Sequence, residues 1–125
     1  ASYDQPELRL VAPIAEPDAA DGERELLPGV SVVPTGGHTA GHQAVVVRGH
    51  SGTVAFFGDL CMRPWSVRPT WLPSYDDFPL DSVEVKTSLF ERAVEEDWQI
   101  VLSHEPEQPI GRIRAEADGF RYVPD

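Results

Sequence analysis

The most informative part of the sequence is Gly37-His38-Thr39-Ala40-Gly41-His42, which comes shortly after the β-like run Val30–Val33. Two later β-like runs lead into similar polar residues, Gly58-Asp59 and Ser103-His104. Imidazole nitrogens and carboxylate oxygens are the ligands that zinc and similar divalent ions accept. Because a rigid sheet can hold groups from several strand ends close together, we predict that His38, Asp59 and His104 converge on a metal site.

These segments resemble those of the metallo-β-lactamase-fold hydrolases, a superfamily that includes glyoxalase II thioesterases and acyl-homoserine lactonases. The resembling segments are Thr35–Gln43, Gly58-Asp59 and the Ser-His-Glu-Pro run that starts at Ser103, and the resemblance spans residues 27–106. It implies that His38 binds one metal ion, that Asp59 bridges two ions and that His104 binds the second. The implied cofactor is zinc, with two ions in the complete protein and iron or manganese as alternatives.

The fold implied by this resemblance is α/β. It is the C-terminal half of a metallo-β-lactamase-type αββα sandwich, with a mixed sheet and at least one packed helix. The family's His-x-His-x-Asp-His motif does not occur in this sequence, whose histidines are His38, His42, His50 and His104. We therefore expect residues 1–125 to form a single partial domain without the N-terminal half. The aspartate that orients the attacking water is expected in that half, so no catalytic residue is assigned here.

Several residues near the three candidate ligands have alternative interpretations. Thr39 and His42 are expected to orient a ligating imidazole or to stabilise the turn. His50 lies in the predicted hairpin turn Gly49–Gly52 and is expected to be exposed. Cys61 follows Asp59 by two positions and could approach the metal, but the burial habit of free cysteine favours a small core residue.

Residues 63–80 are rich in proline and aromatic residues and show neither helical nor alternating periodicity. Because proline stiffens the backbone, we expect an ordered loop that lies over the metal face. Trp65, Trp71 and Tyr75 are then candidates for a substrate-binding wall. The alternative is that these rings pack against the body of the domain or against the missing half.

Local patterns predict the remaining elements. The sequence predicts a helix that starts at Asp81 with a capping box to Glu84 and ends near Trp98, with Lys86 on its outward face. The strands are predicted from clusters of β-branched and aromatic residues between turn signals. They are Leu8–Ala12, Val30–Val33, Gln43–Val47, Thr53–Phe57, Gln99–Ser103, and a hairpin of Ile110–Ala115 and Phe120–Val123.

Composition excludes several classes of function. The net charge is −11 and no cluster of lysine and arginine appears, which disfavours a nucleic-acid partner. No stretch approaches the ~18 apolar residues of a membrane span, so no membrane partner is expected. The single cysteine cannot form an internal disulfide, and with no signal peptide recognisable we expect a cytoplasmic location.

The function implied by the resemblance is metal-dependent hydrolysis of a small-molecule ester, thioester, lactone or amide by a metal-activated water. The isolated chain is expected to bind zinc weakly and to be inactive. The alternative is a non-catalytic binding or assembly module that retains the fold. In either case we expect a partner, the missing N-terminal half or a second copy, on an apolar sheet face that includes Val45, Val47, Ala55 and Phe57.

Overall fold

The computed structural model describes residues 22–125, so the strand expected at Leu8–Ala12 lies outside the described residues. One long helix, α1, spans Pro79–Glu95, and short 3₁₀ turns span Gly58–Leu60 and Pro64–Val67. None of the helices in residues 22–125 is long and apolar enough to cross a membrane. The strands are β1 Arg24–Leu27, β2 Val30–Pro34, β3 Gln43–Gly49, β4 Gly52–Phe56, β5 Gln99–Val101, β6 Ile110–Glu116 and β7 Gly119–Pro124.

The seven strands form one mixed sheet in the order of the chain. Neighbouring strands are antiparallel except β4 and β5, which are parallel and are connected through α1. A parallel pair needs such a crossover connection, usually a helix. Because β2 runs antiparallel to β3 and β3 antiparallel to β4, β2, β4 and β5 all end at the same edge. This edge carries the residues that follow them.

Strand β5 is shorter than predicted, since the ladder ends at Val101 and not at Ser103. The chain leaves the sheet there because its next amides find other partners. Leu102 N–H donates to the Pro109 carbonyl at 2.8 Å, and His104 N–H donates to the Met62 carbonyl at 3.0 Å. His104 is therefore tied to the segment that follows Asp59.

The capping box predicted at Asp81 is not present at the start of α1. The helix begins at Pro79, and Phe78 is the N-cap without a side-chain cap. Proline suits the first helical position because its fixed φ matches the helix and its missing N–H needs no partner there. Asp81 consequently lies inside the first turn, where a carboxylate interacts favourably with the helix dipole.

The end of α1 also differs from the prediction, which placed it near Trp98. The helix ends at Glu95, and Asp97 adopts a left-handed conformation with φ 55°. Trp98 N–H then donates to Ala93 O at 2.9 Å and Asp97 N–H to Val94 O at 3.3 Å, the two bonds of a Schellman motif. Arg114 donates to the Asp97 carboxylate at 2.7 Å. This bond holds Asp97 in a left-handed backbone conformation that usually favours glycine.

Helix α1 packs on one face of the sheet, which we call the covered face. The side chains of Ala44, Val46, Ala55, Phe57, Trp98, Ile100 and Ile113 are fully buried in this core together with Phe90 from the helix. Lys86 was predicted on the outward face of this helix, which was wrong, since it is only 1% exposed. It lies on the same helical face as Ser82, Leu89, Phe90 and Ala93 because these positions recur every three or four residues.

The opposite side of the sheet, which we call the open face, has no helix packed on it among residues 22–125. Register places Val45 opposite Phe56 and Val47 opposite Val54, so these side chains share the open face. Ala55 and Phe57 were predicted on this face as well, which was wrong. Both are fully buried in the covered core, because successive residues of a strand point to opposite sides.

Candidate metal centre

His38, Asp59 and His104 meet at the edge where β2, β4 and β5 end. The two carboxylate oxygens of Asp59 face different imidazoles. Oδ2 lies 3.3 Å from His38 Nε2, and Oδ1 lies 2.9 Å from His104 Nε2. The predicted convergence is thus present, and the metal-binding roles of the three residues stay predictions.

The turn between β2 and β3 positions His38. Thr35 N–H and Gly36 N–H both donate to the His42 carbonyl, at 2.9 and 3.1 Å, which folds the Gly-His-Thr-Ala-Gly-His stretch into a compact loop. Gly37 has φ 81°, and a Cβ there would lie 2.5 Å from Ser82 Oγ. Glycine is required at this position because the turn packs directly on the first turn of α1.

Asp76, which sequence reasoning did not single out, holds the other nitrogen of His38. Its Oδ1 lies 2.8 Å from His38 Nδ1, and its Oδ2 accepts a hydrogen bond of 2.9 Å from Ser82 Oγ. The Asp76 side chain is only 2% exposed. Backbone bonds from Asp77 N–H to His38 O and from Phe78 N–H to Gly37 O tie the two segments together. No local motif marks Asp76, since 38 positions separate it from His38.

His42 uses both ring nitrogens inside the protein. Asp59 N–H donates to Nε2 at 3.1 Å, and Nδ1 lies 2.5 Å from Thr35 Oγ1. An accepting Nε2 means that the neutral ring carries its proton on Nδ1. Burial, reinforced by the charge of His38, lowers the pKa of His42. Gly58 lets this ring approach, because a Cβ there would lie 2.8 Å from Nε2.

Thr39 lies at the exposed tip of the turn, and its carbonyl accepts the His42 N–H at 3.2 Å. Cys61, the other residue with two interpretations, is fully buried in the covered core. Burial raises the pKa of its thiol to about 12, so the core reading of Cys61 holds. His50 is exposed in the β3–β4 turn, as predicted.

The imidazoles stabilise the ionised form of Asp59. Partial burial alone raises the pKa of this carboxyl, but the hydrogen bond from His104 and the charges of His38, His104 and His42 outweigh burial, and the pKa is lowered. Ser103 Oγ adds a longer contact of 3.4 Å to Oδ1. Asp59 is thus held as a carboxylate, the form that bridges cations.

The chemistry of these donors fits a divalent cation. Both nitrogens of His38 face carboxylate oxygens, of Asp76 and Asp59, yet a neutral imidazole has only one N–H to donate. A proton or a cation is therefore needed at one of these contacts. Two donors bound ~2.1 Å from a tetrahedral ion lie ~3.4 Å apart, close to the His38–Asp59 separation of 3.3 Å.

The number of donors is too small for a complete site. Within residues 22–125, no group of three or more histidine, cysteine, aspartate or glutamate side chains surrounds a position for a metal ion. Asp59 contacts the imidazoles directly instead. Structural zinc sites use four ligands and catalytic ones at least three per ion, so two ions would need further donors from elsewhere.

The structure separates the three candidate aromatic residues. Tyr75 lies beside His38, with ring centroids 5.9 Å apart, and its hydroxyl is 3.7 Å from Met62 Sδ. Trp65 and Trp71 instead line a groove against Phe120 of β7. The Trp71 ring also carries the Arg68 guanidinium at 4.5 Å. A substrate-binding role for the three residues stays a prediction, and Tyr75 is the one that contacts the candidate metal centre.

Comparison with solved structures identifies the fold. The chain is similar to the hydrolase AbOPH of the beta-lactamase superfamily, with 24% identity and a TM-score of 0.72 over 81% of this chain. It is similar to AidC, a dizinc quorum-quenching lactonase, with 18% identity and a TM-score of 0.72 over 82% of this chain. The chain has the metallo-β-lactamase fold. The predicted α/β class, a mixed sheet with a packed helix, is confirmed.

The match is partial in length. A third similar structure, an N-acyl homoserine lactone hydrolase with N-hexanoyl-L-homoserine at its catalytic metal centre, shares 25% identity and a TM-score of 0.62 over 70% of this chain. The chain spans 36%, 35% and 35% of the three solved chains, in the order given, and matches their C-terminal portion. No protein-family model and no curated protein matches the sequence.

Proposed function

We propose that this chain is the C-terminal part of a metal-dependent hydrolase that cleaves an ester, thioester, lactone or amide. The observation that carries the proposal is the bridging geometry of Asp59, which presents one oxygen to His38 and the other to His104. A carboxylate between two imidazoles matches the donor chemistry of a two-cation site. The similar structures include metal-dependent hydrolases, which supports the same class of reaction.

In this proposal His38, Asp59 and His104 hold zinc, two ions in the complete protein, with iron or manganese as alternatives. A bound cation would supply Lewis acidity and an activated water. The other residues act through orientation. Asp76 holds His38 Nδ1 so that Nε2 faces Asp59, and His42 receives the Asp59 N–H. Such partners fix ring orientation and make the ligands more basic.

The remaining parts of the metal site are proposed to come from outside this chain, either from an N-terminal half or from a second copy. The water-orienting aspartate and the other ligands belong to that part. Because two of the similar proteins are a lactonase and a lactone hydrolase, a small lactone is the first substrate class to test. Nucleic acids and membranes are not proposed as partners, and the cytoplasm is the proposed location.

The test compares Asp59→Asn with His50→Ala in the complete protein that contains these 125 residues. We expect Asp59→Asn to lose bound zinc and to lower lactone or ester hydrolysis by more than about 100-fold, since it removes a ligand and not merely a supporting partner. His50→Ala removes a histidine that lies in the exposed β3–β4 turn and should leave both unchanged. Full activity after chelation, or in Asp59→Asn, would refute the hydrolase proposal.

The open face supports a second candidate, a non-catalytic binding or assembly module. Leu27, Val47, Phe56 and Ile110 are exposed large hydrophobic residues, and cross-strand pairing places Phe56 on the same side as Val45. Exposed apolar patches usually mark an interface. A complete protein that associates through this face but contains no stoichiometric metal would favour this candidate over the hydrolase.

A further inference from the structure

Lys86, the only lysine of the chain, is buried in the N-terminal half of α1. Its Nζ donates to the Trp71 carbonyl at 3.1 Å and to the Arg68 carbonyl at 3.5 Å, both in the aromatic loop, residues 63–78. No carboxylate within residues 22–125 lies within ion-pair distance of Nζ. Burying a cation without an ionic partner costs free energy. The contacts of Lys86 should therefore show what its burial contributes to the structure.

Residues from three parts of the structure lie near the Lys86 amino group. Cys61 faces it from the segment after β4, and the Asp76 carboxylate acts on it from the end of the loop. The Phe90 ring lies 6.0 Å from Nζ, one turn along the helix. Among residues 22–125, the groups that accept hydrogen bonds from Nζ are the carbonyls of Arg68 and Trp71.

The loop that Lys86 holds also carries the support of the candidate metal centre. At its far end Asp76 contacts His38 Nδ1 and Ser82 Oγ. At its beginning Arg63 pairs with Glu105 at 3.0 Å, next to His104. Between these two attachments, Lys86 bonds the middle of the loop to α1.

We propose that Lys86 is a positioning residue, whose amino group anchors residues 68–71 on α1 and thereby sets the Asp76 carboxylate against His38. The inference rests on the proposed function and deepens it. An apolar side chain of equal length would fill the same space but would leave the Trp71 carbonyl without its Lys86 donor, whereas the Arg68 carbonyl would keep the Trp71 N–H at 2.9 Å. Loss of the donor to a partly buried acceptor is destabilising. The loop would then relax away from the helix and carry Asp76 with it.

The experiment titrates the complete protein with Co²⁺ alone and follows its visible absorption. We expect Lys86→Met to weaken Co²⁺ binding by about 10-fold to 100-fold, the range seen when an outer partner of a ligating histidine is lost. Lys86→Gln keeps an N–H donor without the charge and should recover part of the affinity. Amide hydrogen exchange should accelerate in residues 68–77 while β3 and β4 stay protected.

A double-mutant cycle separates positioning from general stability. Asp76→Asn alone should weaken Co²⁺ binding by at least as much as Lys86→Met. If Lys86 acts through Asp76, the double variant should be no weaker than Asp76→Asn. Unchanged Co²⁺ affinity in folded Lys86→Met, or fully additive losses in the double variant, would overturn the proposal.

Two further experiments distinguish failure of the proposed function from failure of the positioning role of Lys86. If the unsubstituted protein binds no Co²⁺ at all, the proposed function fails, and the role of Lys86 is then read from the ¹⁵N NMR signals of the His38 ring. Those signals should shift in Lys86→Met as they do in Asp76→Asn, and an unshifted ring would overturn the positioning role. If Lys86→Met does not fold, the same comparisons are made with Lys86→Gln, and equality with the unsubstituted protein would refute the proposal.

Discussion

The two faces of the sheet differ in how completely residues 22–125 cover them. On the covered face α1 buries a continuous core in which Phe57 contacts Phe90 and Trp98, at centroid distances of 5.7 and 6.3 Å. On the open face Phe56, the residue before Phe57, is 41% exposed. Neighbouring residues of identical chemistry thus have opposite environments, because the pleat sends them to opposite sides.

This difference extends to the candidate metal centre. The buried supports, Ser82 and Asp76, come from α1 and from the loop that packs on it. The carboxylate at the centre is less protected, since the Asp59 side chain is 40% exposed and that of His104 is 60% exposed. Within residues 22–125, the residues that support the site are therefore buried, whereas Asp59 and His104 remain accessible to solvent.

The largest expected effect is the contrast between Phe57→Ala and Phe56→Ala. Removing the buried ring should lower the free energy of unfolding by about 3–5 kcal/mol, whereas the half-exposed Phe56 should cost about 1 kcal/mol or less. Urea unfolding of the 125-residue chain measures both. Equal losses would show that the open face is covered in solution, and a larger Phe56→Ala cost in the complete protein would show that the rest of that protein covers it.

A smaller effect on the free energy of unfolding is expected at Gly37, where the turn between β2 and β3 packs on the first turn of α1. Gly37→Ala places a Cβ 2.5 Å from Ser82 Oγ and 2.9 Å from its Cα, so we expect a loss of about 1–3 kcal/mol, as for overpacked sites. Gly36→Ala is the matched control, since it also has positive φ but meets nothing closer than 4.0 Å. Thermal unfolding compares the two, and a Gly36→Ala loss as large as that of Gly37→Ala would exclude the close contact as the cause.

The free energy of unfolding should depend on pH through the buried amine of Lys86. Burial lowers the pKa of Lys86 from 10.5 to about 8, so between these values the unfolded chain binds more protons than the folded one. Stability from this group should therefore rise as pH increases from about 8 to about 10.5. Lys86→Met lacks this slope, and the difference between the two proteins in urea unfolding at several pH values isolates it from other groups. A difference that does not change with pH would contradict the lowered pKa of the buried amine.

The smallest effect on stability is expected on the open face. Val47→Lys should change the free energy of unfolding by no more than about 0.5 kcal/mol, as for most exposed positions, but should reduce self-association. Ser88→Lys adds the same charge on the exposed side of α1 and serves as the control. Sedimentation measures the association, and equal behaviour of the two variants would mean that charge, not the open face, controls it.

Local sequence patterns predicted much of the fold. Strands β2, β3, β4, β6 and β7 follow the predicted runs within two residues at each end, because alternation and turn residues act over a few positions. The three candidate ligands could be singled out because each one lies within four residues of the end of a strand. The helix ends were less predictable, since Pro79 and the Asp97–Arg114 contact replaced the expected cap and the expected later end.

Only the tertiary structure decided the surroundings of those candidate ligands. Asp76 contacts His38 across 38 positions, and Lys86 contacts the Trp71 carbonyl across 15, with no periodicity that relates them. It also decided which face Ala55 and Phe57 occupy, through the register of β3 against β4. The physical reason is that short-range propensities determine where the chain turns and extends. The partners of buried polar groups are chosen by whichever distant backbone and side chains the packed elements bring within hydrogen-bond distance.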